Sequence, residues 1–218
     1  KIDITINKKD YCFETSLIGD IQIKNLILAI IAAYLSGLKI DNILKIINKI
    51  KPIDGRFEKI GKLKNKAKII LDYAHTPHAL KTLLINIKKD FPLSKISLVF
   101  GCGGNRDENK RSMMGIIARN YCNNIYLTDD NPRFESPKLI RDQVKKGLKT
   151  KKFFEIPSRT KAINNAIKEL KAGDILIVAG KGHENYQEYK KKIFYSDKKE
   201  ILKAVKKKKI ILSNSLKV

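Results

Sequence analysis

The sequence predicts an α/β fold built on a mainly parallel sheet, and three observations predict it. Apolar runs of strand length recur from about residue 67 onward, and each is followed by an amphipathic stretch of helix length. Helix-starting residues, among them Pro77 and Ser158, stand at the junctions. Strands that alternate with helices in this way imply right-handed βαβ units.

In chain order, "KIDITI" and "YCFETSLI" read as short sheet pieces, and "IKNLILAIIAAYLSG" and "DNILKIINKI" as two helices. The turn-rich "KPIDGRFEKIG" is a joint, which places a domain boundary near residue 52. Beyond it, "AKIILDYA" is a buried strand and "PHALKTLLINIKKDF" a helix with Pro77 in its first turn. "KISLVFG" with "NKRSMMGIIARNYC", "NNIYLTD" with "SPKLIRDQVKKGL", and "FFEIP" with "SRTKAINNAIKELK" repeat the unit, Ser158 capping the last helix. "DILIVAG" is the last strong strand, "KKIFYSD" an edge strand, and "DKKEILKAVKKK" a closing helix.

Composition excludes several classes. With 218 residues, 43% of them hydrophobic, the chain can bury a core of one or two domains. No apolar run approaches bilayer length, and no signal-peptide pattern opens the chain. Three widely spaced cysteines, Cys12, Cys102 and Cys122, argue for a reducing compartment, so the expected location is cytoplasmic. The formal charge of +24 invites a nucleic-acid reading, but only seven of the 46 basic residues are arginine and the lysines run through nearly every segment. No helix-turn-helix, aromatic RNA-binding pattern or zinc finger accompanies them, so a solvated lysine-rich surface is the reading preferred.

In an open parallel sheet, ligands bind beyond the carboxyl ends of the strands. The polar clusters fall there: Asp72, His75 and Thr76 in "IILDYAHTP", Arg106 in "SLVFGCGGNRD", Asp130, Asn131 and Arg133 in "IYLTDDNPR", and Gly180, Lys181, His183 and Glu184 in "ILIVAGKGHE". Four clusters at equivalent places suggest one crevice holding guanidinium and carboxylate groups. Taken singly they say less. "GCGGNRD" is not the dinucleotide fingerprint, His75 and His78 lack a third metal ligand, and Cys102 suits a glycine turn. His183 reads as an acid/base or a loop-orienting residue, and Lys181 alone signals nothing. Four of the seven arginines (Arg56, Arg106, Arg111, Arg133) lie in the clusters or the joint, keeping the planar fork that suits carboxylates and phosphates.

Taken together, "DGRFE", "DYAHTPHAL", "GCGGNRDENKR", "DDNPR" and "AGKGHE" resemble the Mur ligases, in that family's order and approximate spacing, over essentially the whole chain. "DNPR" is similar to the signature of the branch that recognises meso-diaminopimelate. The resemblance implies a Rossmann-like C-terminal amino-acid-binding domain at 53–218, preceded at 1–52 by the tail of a central ATP-binding domain. No GxxxxGK[ST] phosphate loop occurs, so the family's catalytic groups and magnesium ligands are expected upstream, with no metal site in this chain.

By the same resemblance, Arg106, Asn131, Arg133, Gly180 and Glu184 hold the incoming amino acid, while Asp130 and Pro132 complete the signature and shape its loop. Pro132 would stiffen the turn and leave Arg133 for a substrate carboxylate instead of Asp129 or Asp130. Asn25, Arg56 and Asp72 match positions that meet ATP, whereas Gln22 and His78 depart from the family's usual Asn and Asp. The implied reaction is ATP-dependent, Mg2+-assisted addition of meso-diaminopimelate to a UDP-N-acetylmuramoyl dipeptide, by a monomer with no nucleic-acid partner and no membrane insertion. A sister ligase that adds lysine or glutamate is the alternative, against which Arg133 argues. A basic nucleic-acid-binding module is favoured only by charge.

Overall fold

A computed structural model of the chain describes residues 1–17, 19–61, 63 and 65–214, with the side chains of 209–214 outside the description. It contains two compact units, Lys1–Ile53 and Asp54–Val218.

The first unit is a hairpin and two helices. β1 (Ile2–Ile6) and β2 (Lys9–Phe13) pair antiparallel across Asn7 and Lys8. Both turn residues have positive φ, 49° and 64°, the backbone that a two-residue hairpin with right-twisted strands needs. α1 (Asp20–Leu35) and α2 (Ile40–Ile47) bury Leu26, Ile30, Ile40, Ile43 and Ile47 against Phe13. The spacing of three and four puts those residues on one helical face.

The second unit carries the α/β repeat. Its elements are β3 (Glu58–Lys59), β4 (Lys68–Asp72), α3 (Pro77–Asp90), β5 (Ile96–Phe100), α4 (Asn109–Tyr121) and β6 (Asn124–Leu127). After them come α5 (Pro137–Leu148), β7 (Phe154–Glu155), α6 (Arg159–Glu169), β8 (Ile175–Ala179), β9 (Tyr186–Tyr189), β10 (Lys191–Phe194) and α7 (Asp197–Asn214). The six-stranded sheet runs β3-β4-β8-β5-β6-β7, with every pair parallel except β3 with β4.

Strand alternation splits the core into two layers. Ile70, Leu98, Phe100, Ile125 and Ile177 face α3, α4 and α5, while Leu71, Val99, Tyr126, Leu176 and Val178 face α6 and α7. Burial on both faces explains why these strands are apolar without interruption. Helix starts follow local chemistry. Thr76 accepts from the Ala79 amide with Pro77 in the first turn, and Ser158 accepts from the Lys161 amide.

Two features differ from the sequence expectation. "KKIFYSD" does not extend the main sheet, because β10 pairs with β9 as a separate hairpin. β3, only two residues long, adds an antiparallel edge from within the joint. Neither segment has the apolar run that marks a strand covered on both faces.

Candidate functional site

β8 inserts between β4 and β5, so the strand order reverses at the carboxyl ends of these three strands. Such a reversal splays the loops apart and opens a crevice. A cleft of about 680 Å³ lies there, lined by residues from all four strand ends, including Thr76, Arg106, Asp130, Asn131, Gly180 and Glu184.

Asn131 ties the cleft together. Its side chain is buried, its Nδ2 donates to Glu184 Oε2 at 3.0 Å, and its Oδ1 accepts from Lys181 Nζ at 2.9 Å and from the Glu188 amide at 3.1 Å. The Asn131 carbonyl accepts from the Gly104 amide at 2.9 Å. One amide side chain and its peptide thus join the loops after β5, β6 and β8 to the β9 hairpin. Lys181, fully buried, donates to the same Glu184 Oε2 at 2.8 Å. Glu184 also lines the cleft, and among the described residues both hydrogen bonds to its carboxylate fall on Oε2.

Arg133 stands opposite. Its φ of 55° is left-handed, and its peptide is pinned to the hairpin by Arg133 N to Glu188 O and Lys190 N to Arg133 O, both 2.9 Å. Its guanidinium donates Nη1 to the Gly104 carbonyl at 2.8 Å and pairs through Nε with Glu188 at 3.3 Å. Among the described residues the acid that pairs with it is Glu188, outside the "DDNPR" loop. Gly104 permits this packing, since a Cβ there would collide with the Pro132 carbonyl. Arg106 is exposed at the mouth of the cleft and makes no ion pair among the described residues.

The two aspartates before Asn131 face inward. Asp129 pairs with Arg141 and accepts from Tyr189 Oη at 2.9 Å. Asp130 lies 3.8 Å from Arg159 and against Gly180, whose added Cβ would come within 2.7 Å of Asp130 Oδ2. Asp72 spends its carboxylate on two backbone amides, Phe57 at 2.7 Å and Ala74 at 2.8 Å, which fastens the joint to the end of β4. Burial pushes its carboxyl above the usual range, against the pull of those amides and of Arg56. Arg56 lies over the Tyr73 ring at 4.4 Å, and His75 and His183 flank the same ring. Asn25 stands exposed on α1 in the first unit.

Some readings of single residues change. Arg111 does not face the cleft but is fully buried, holding Glu135, Gln143 and the Gly103 carbonyl. Arg141 and Arg159, outside the sequence clusters, are the cations beside the two aspartates, Arg141 paired with Asp129 and Arg159 at 3.8 Å from Asp130. Lys181 follows the all-apolar β8 with only Gly180 between, and that placement is what sets it apart in sequence from the other lysines. Cys102 is buried beside Met114, and burial pushes its thiol up to about 12, so it is protonated at neutral pH and no nucleophile. Among the described residues no three His, Cys, Asp or Glu side chains gather as a metal-ligating set, and no helix is long and apolar enough to cross a membrane.

With this geometry in place, comparison with known proteins is decisive on family. Residues 55–182 match the family model for the Mur ligase glutamate ligase domain, more than half of the chain. The chain belongs to the Mur ligase family. Curated relatives carry the name UDP-N-acetylmuramoyl-L-alanyl-D-glutamate–2,6-diaminopimelate ligase. One from Rickettsia typhi is 46% identical over 85% of this chain and 37% of its own length. One from Rickettsia conorii is 44% identical over 94% of this chain and 42% of its own. This Mur ligase chain therefore spans about two fifths of the length of the relatives it matches. A solved structure of a ligase of that name superposes with TM-score 0.68 at 34% identity, covering 94% of this chain and 42% of that one. A folylpolyglutamate synthase from Thermotoga maritima, 24% identical with TM-score 0.61 over 80% of this chain and 39% of that one, shares the fold.

Proposed function

We propose that this chain is the amino-acid-binding part of an ATP-dependent ligase that joins meso-diaminopimelate to UDP-N-acetylmuramoyl-L-alanyl-D-glutamate. The observation that carries this reading is a pair of opposite charges in one cleft, the Glu184 carboxylate held by Asn131 and Lys181 and the Arg133 guanidinium held by the Gly104 carbonyl and Glu188. meso-Diaminopimelate carries a carboxylate and an ammonium on its distal carbon, and lysine carries the ammonium alone. A guanidinium fork meets the carboxylate and Glu184 Oε1 meets the ammonium, with the Gly180 carbonyl as a second acceptor. Arg106 at the mouth takes the other carboxylate. The names of the relatives support the same substrate.

In this reading residues 1–52 are the end of a central ATP-binding domain and 53–218 the C-terminal domain. Arg56 and Asn25 meet the nucleotide, and Asp72 shapes the loop that carries Arg56. ATP phosphorylates the D-glutamate side-chain carboxyl, giving an acyl phosphate and ADP. The free amine of the held amino acid attacks the acyl carbon, the amide bond forms, the bond to phosphate breaks, and the amine sheds a proton as inorganic phosphate leaves. The work of this chain is to hold that amine in line, which turns a bimolecular attack into a nearly unimolecular one. Mg2+ accompanies the ATP, and the reaction takes place in the cytoplasm by a monomer.

The test is calorimetric titration of the chain with meso-diaminopimelate, L-lysine and D-glutamate. Binding of diaminopimelate at least tenfold tighter than lysine is expected. Equal binding of the two removes the diaminopimelate assignment.

A further inference from the structure

Beneath the cleft lies a sealed ionic cluster that the proposed reaction does not use. Arg159, at the start of α6, is fully buried. Its Nε and Nη2 grip both oxygens of Asp197 at 2.8 Å each, and Nη2 also donates to the carbonyl of Ala179, the residue before Gly180, at 2.8 Å. Asp197 opens α7 and is itself fully buried. The remaining guanidinium nitrogen, Nη1, has no hydrogen-bond partner and is aimed at Asp130 Oδ2, 3.8 Å away, which also has none. Tyr195 Oη completes a trio of buried polar atoms without partners.

The geometry says which way this cluster acts. Asp130 lines the cleft, and its Oδ2 is sealed from solvent between Gly180 and Arg159. A buried carboxylate without a countercharge is costly, and a nearby guanidinium offsets that cost and fixes its direction. Asp197 takes two of the Arg159 donors, and the Ala179 contact ties the same guanidinium to the strand end that supplies Gly180. We infer that Arg159 and Asp197 are positioning residues: through Asp130 and the Ala179–Gly180 peptide, they set the acceptor side of the pocket for the substrate's distal ammonium. The inference rests on the reading of the cleft as a diaminopimelate site and deepens it. It makes α6 and α7, which offer no cleft-facing side chain, part of amino-acid selection.

The experiment is calorimetric titration of the folded chain with two probes: meso-diaminopimelate, and 2-aminopimelate, which lacks the distal amine. Asp130→Asn is expected to weaken diaminopimelate at least tenfold and 2-aminopimelate less than threefold. Arg159→Gln should reproduce that pattern, Arg159→Lys should restore part of the loss, and adding Arg159→Gln to Asp130→Asn should cost less than a further twofold. If Arg159→Gln does not fold, Asp197→Asn, which removes the anion that orients the guanidinium, should still weaken diaminopimelate more than 2-aminopimelate, and equal losses overturn the inference. Equal losses for both probes, or effects that multiply in the double variant, would make the cluster a general packing device and overturn the inference. A wild-type chain that binds diaminopimelate no better than lysine overturns the functional reading, and this inference with it; tight wild-type binding with unaffected variants overturns this inference alone.

Discussion

Replacing Arg133 by lysine or alanine tests the pocket most directly. Within the described residues the guanidinium donates one hydrogen bond, Nη1 to Gly104 at 2.8 Å, and forms an ion pair through Nε with Glu188 at 3.3 Å, which leaves part of the fork for a carboxylate. The side chain is only 20% exposed, so a carboxylate bound there is largely desolvated. A charged hydrogen bond contributes roughly 1.5–3 kcal/mol. Losing one good contact should therefore weaken diaminopimelate by roughly 10- to 150-fold. Arg133→Lys keeps the charge without the fork and should fall between wild type and alanine. Backbone strain does not confuse the comparison, because Arg, Lys and Ala carry the same β-carbon at the left-handed φ of 55°. The lost Gly104 contact affects both ligands alike and cancels when diaminopimelate is compared with lysine. The assay is calorimetric affinity for each amino acid in the three chains. A diaminopimelate-to-lysine ratio that Arg133→Ala leaves unchanged would refute the assignment of this arginine to carboxylate recognition.

Gly104→Ala should cost about 1–3 kcal/mol of stability, because the added methyl meets the Pro132 carbonyl; an unchanged urea midpoint would mean the two loops are not held together as described. Acid should unfold the second unit progressively as pH falls below about 4.5. Arg111 lowers the Glu135 carboxyl, Lys145 and Lys138 hold Asp142 down to about 2, and at Glu155, where burial raises the carboxyl, Lys145 and Arg141 outweigh it. Depressed native carboxyls add stability above their unfolded values of 4.5 and 3.8, and the addition is lost as pH falls through that range toward 2. The raised Asp72 acts with the opposite sign but is one group against these three and Asp54, whose carboxyl Lys198 lowers, so a urea midpoint that rises between pH 5 and pH 3 would contradict the assignment. In the full-length ligase, Arg56→Ala should raise the ATP requirement of the ligation reaction, while leaving this chain's affinity for diaminopimelate within about twofold, as expected for a contact on the nucleotide side alone. The reverse pattern would take Arg56 out of the nucleotide site.

The α/β class was legible in the sequence because strands buried on both faces must be apolar throughout. "KIILD", "ISLVF" and "ILIVA" carry that constraint locally, without reference to what they pack against. The polar strand ends were legible for a related reason: Asp130–Arg133 and Gly180–Glu184 follow such runs directly, where a parallel sheet puts its ligands. The order of the strands was not legible. That β8 lies between β4 and β5 depends on contacts about a hundred residues apart, and it is this placement that brings Glu184 beside Asn131. The strand in "KKIFYSD" was legible, but its partner β9 was not, because "YQEY" lacks an apolar run; yet β9 supplies Glu188 and its hairpin pins Arg133. Lys181, Arg141 and Arg159 could not be separated by residue type from a surface rich in basic groups. What distinguishes them is burial beside a carboxylate, and the cost of burying a charge is a property of the folded surroundings, which sequence spacing does not carry.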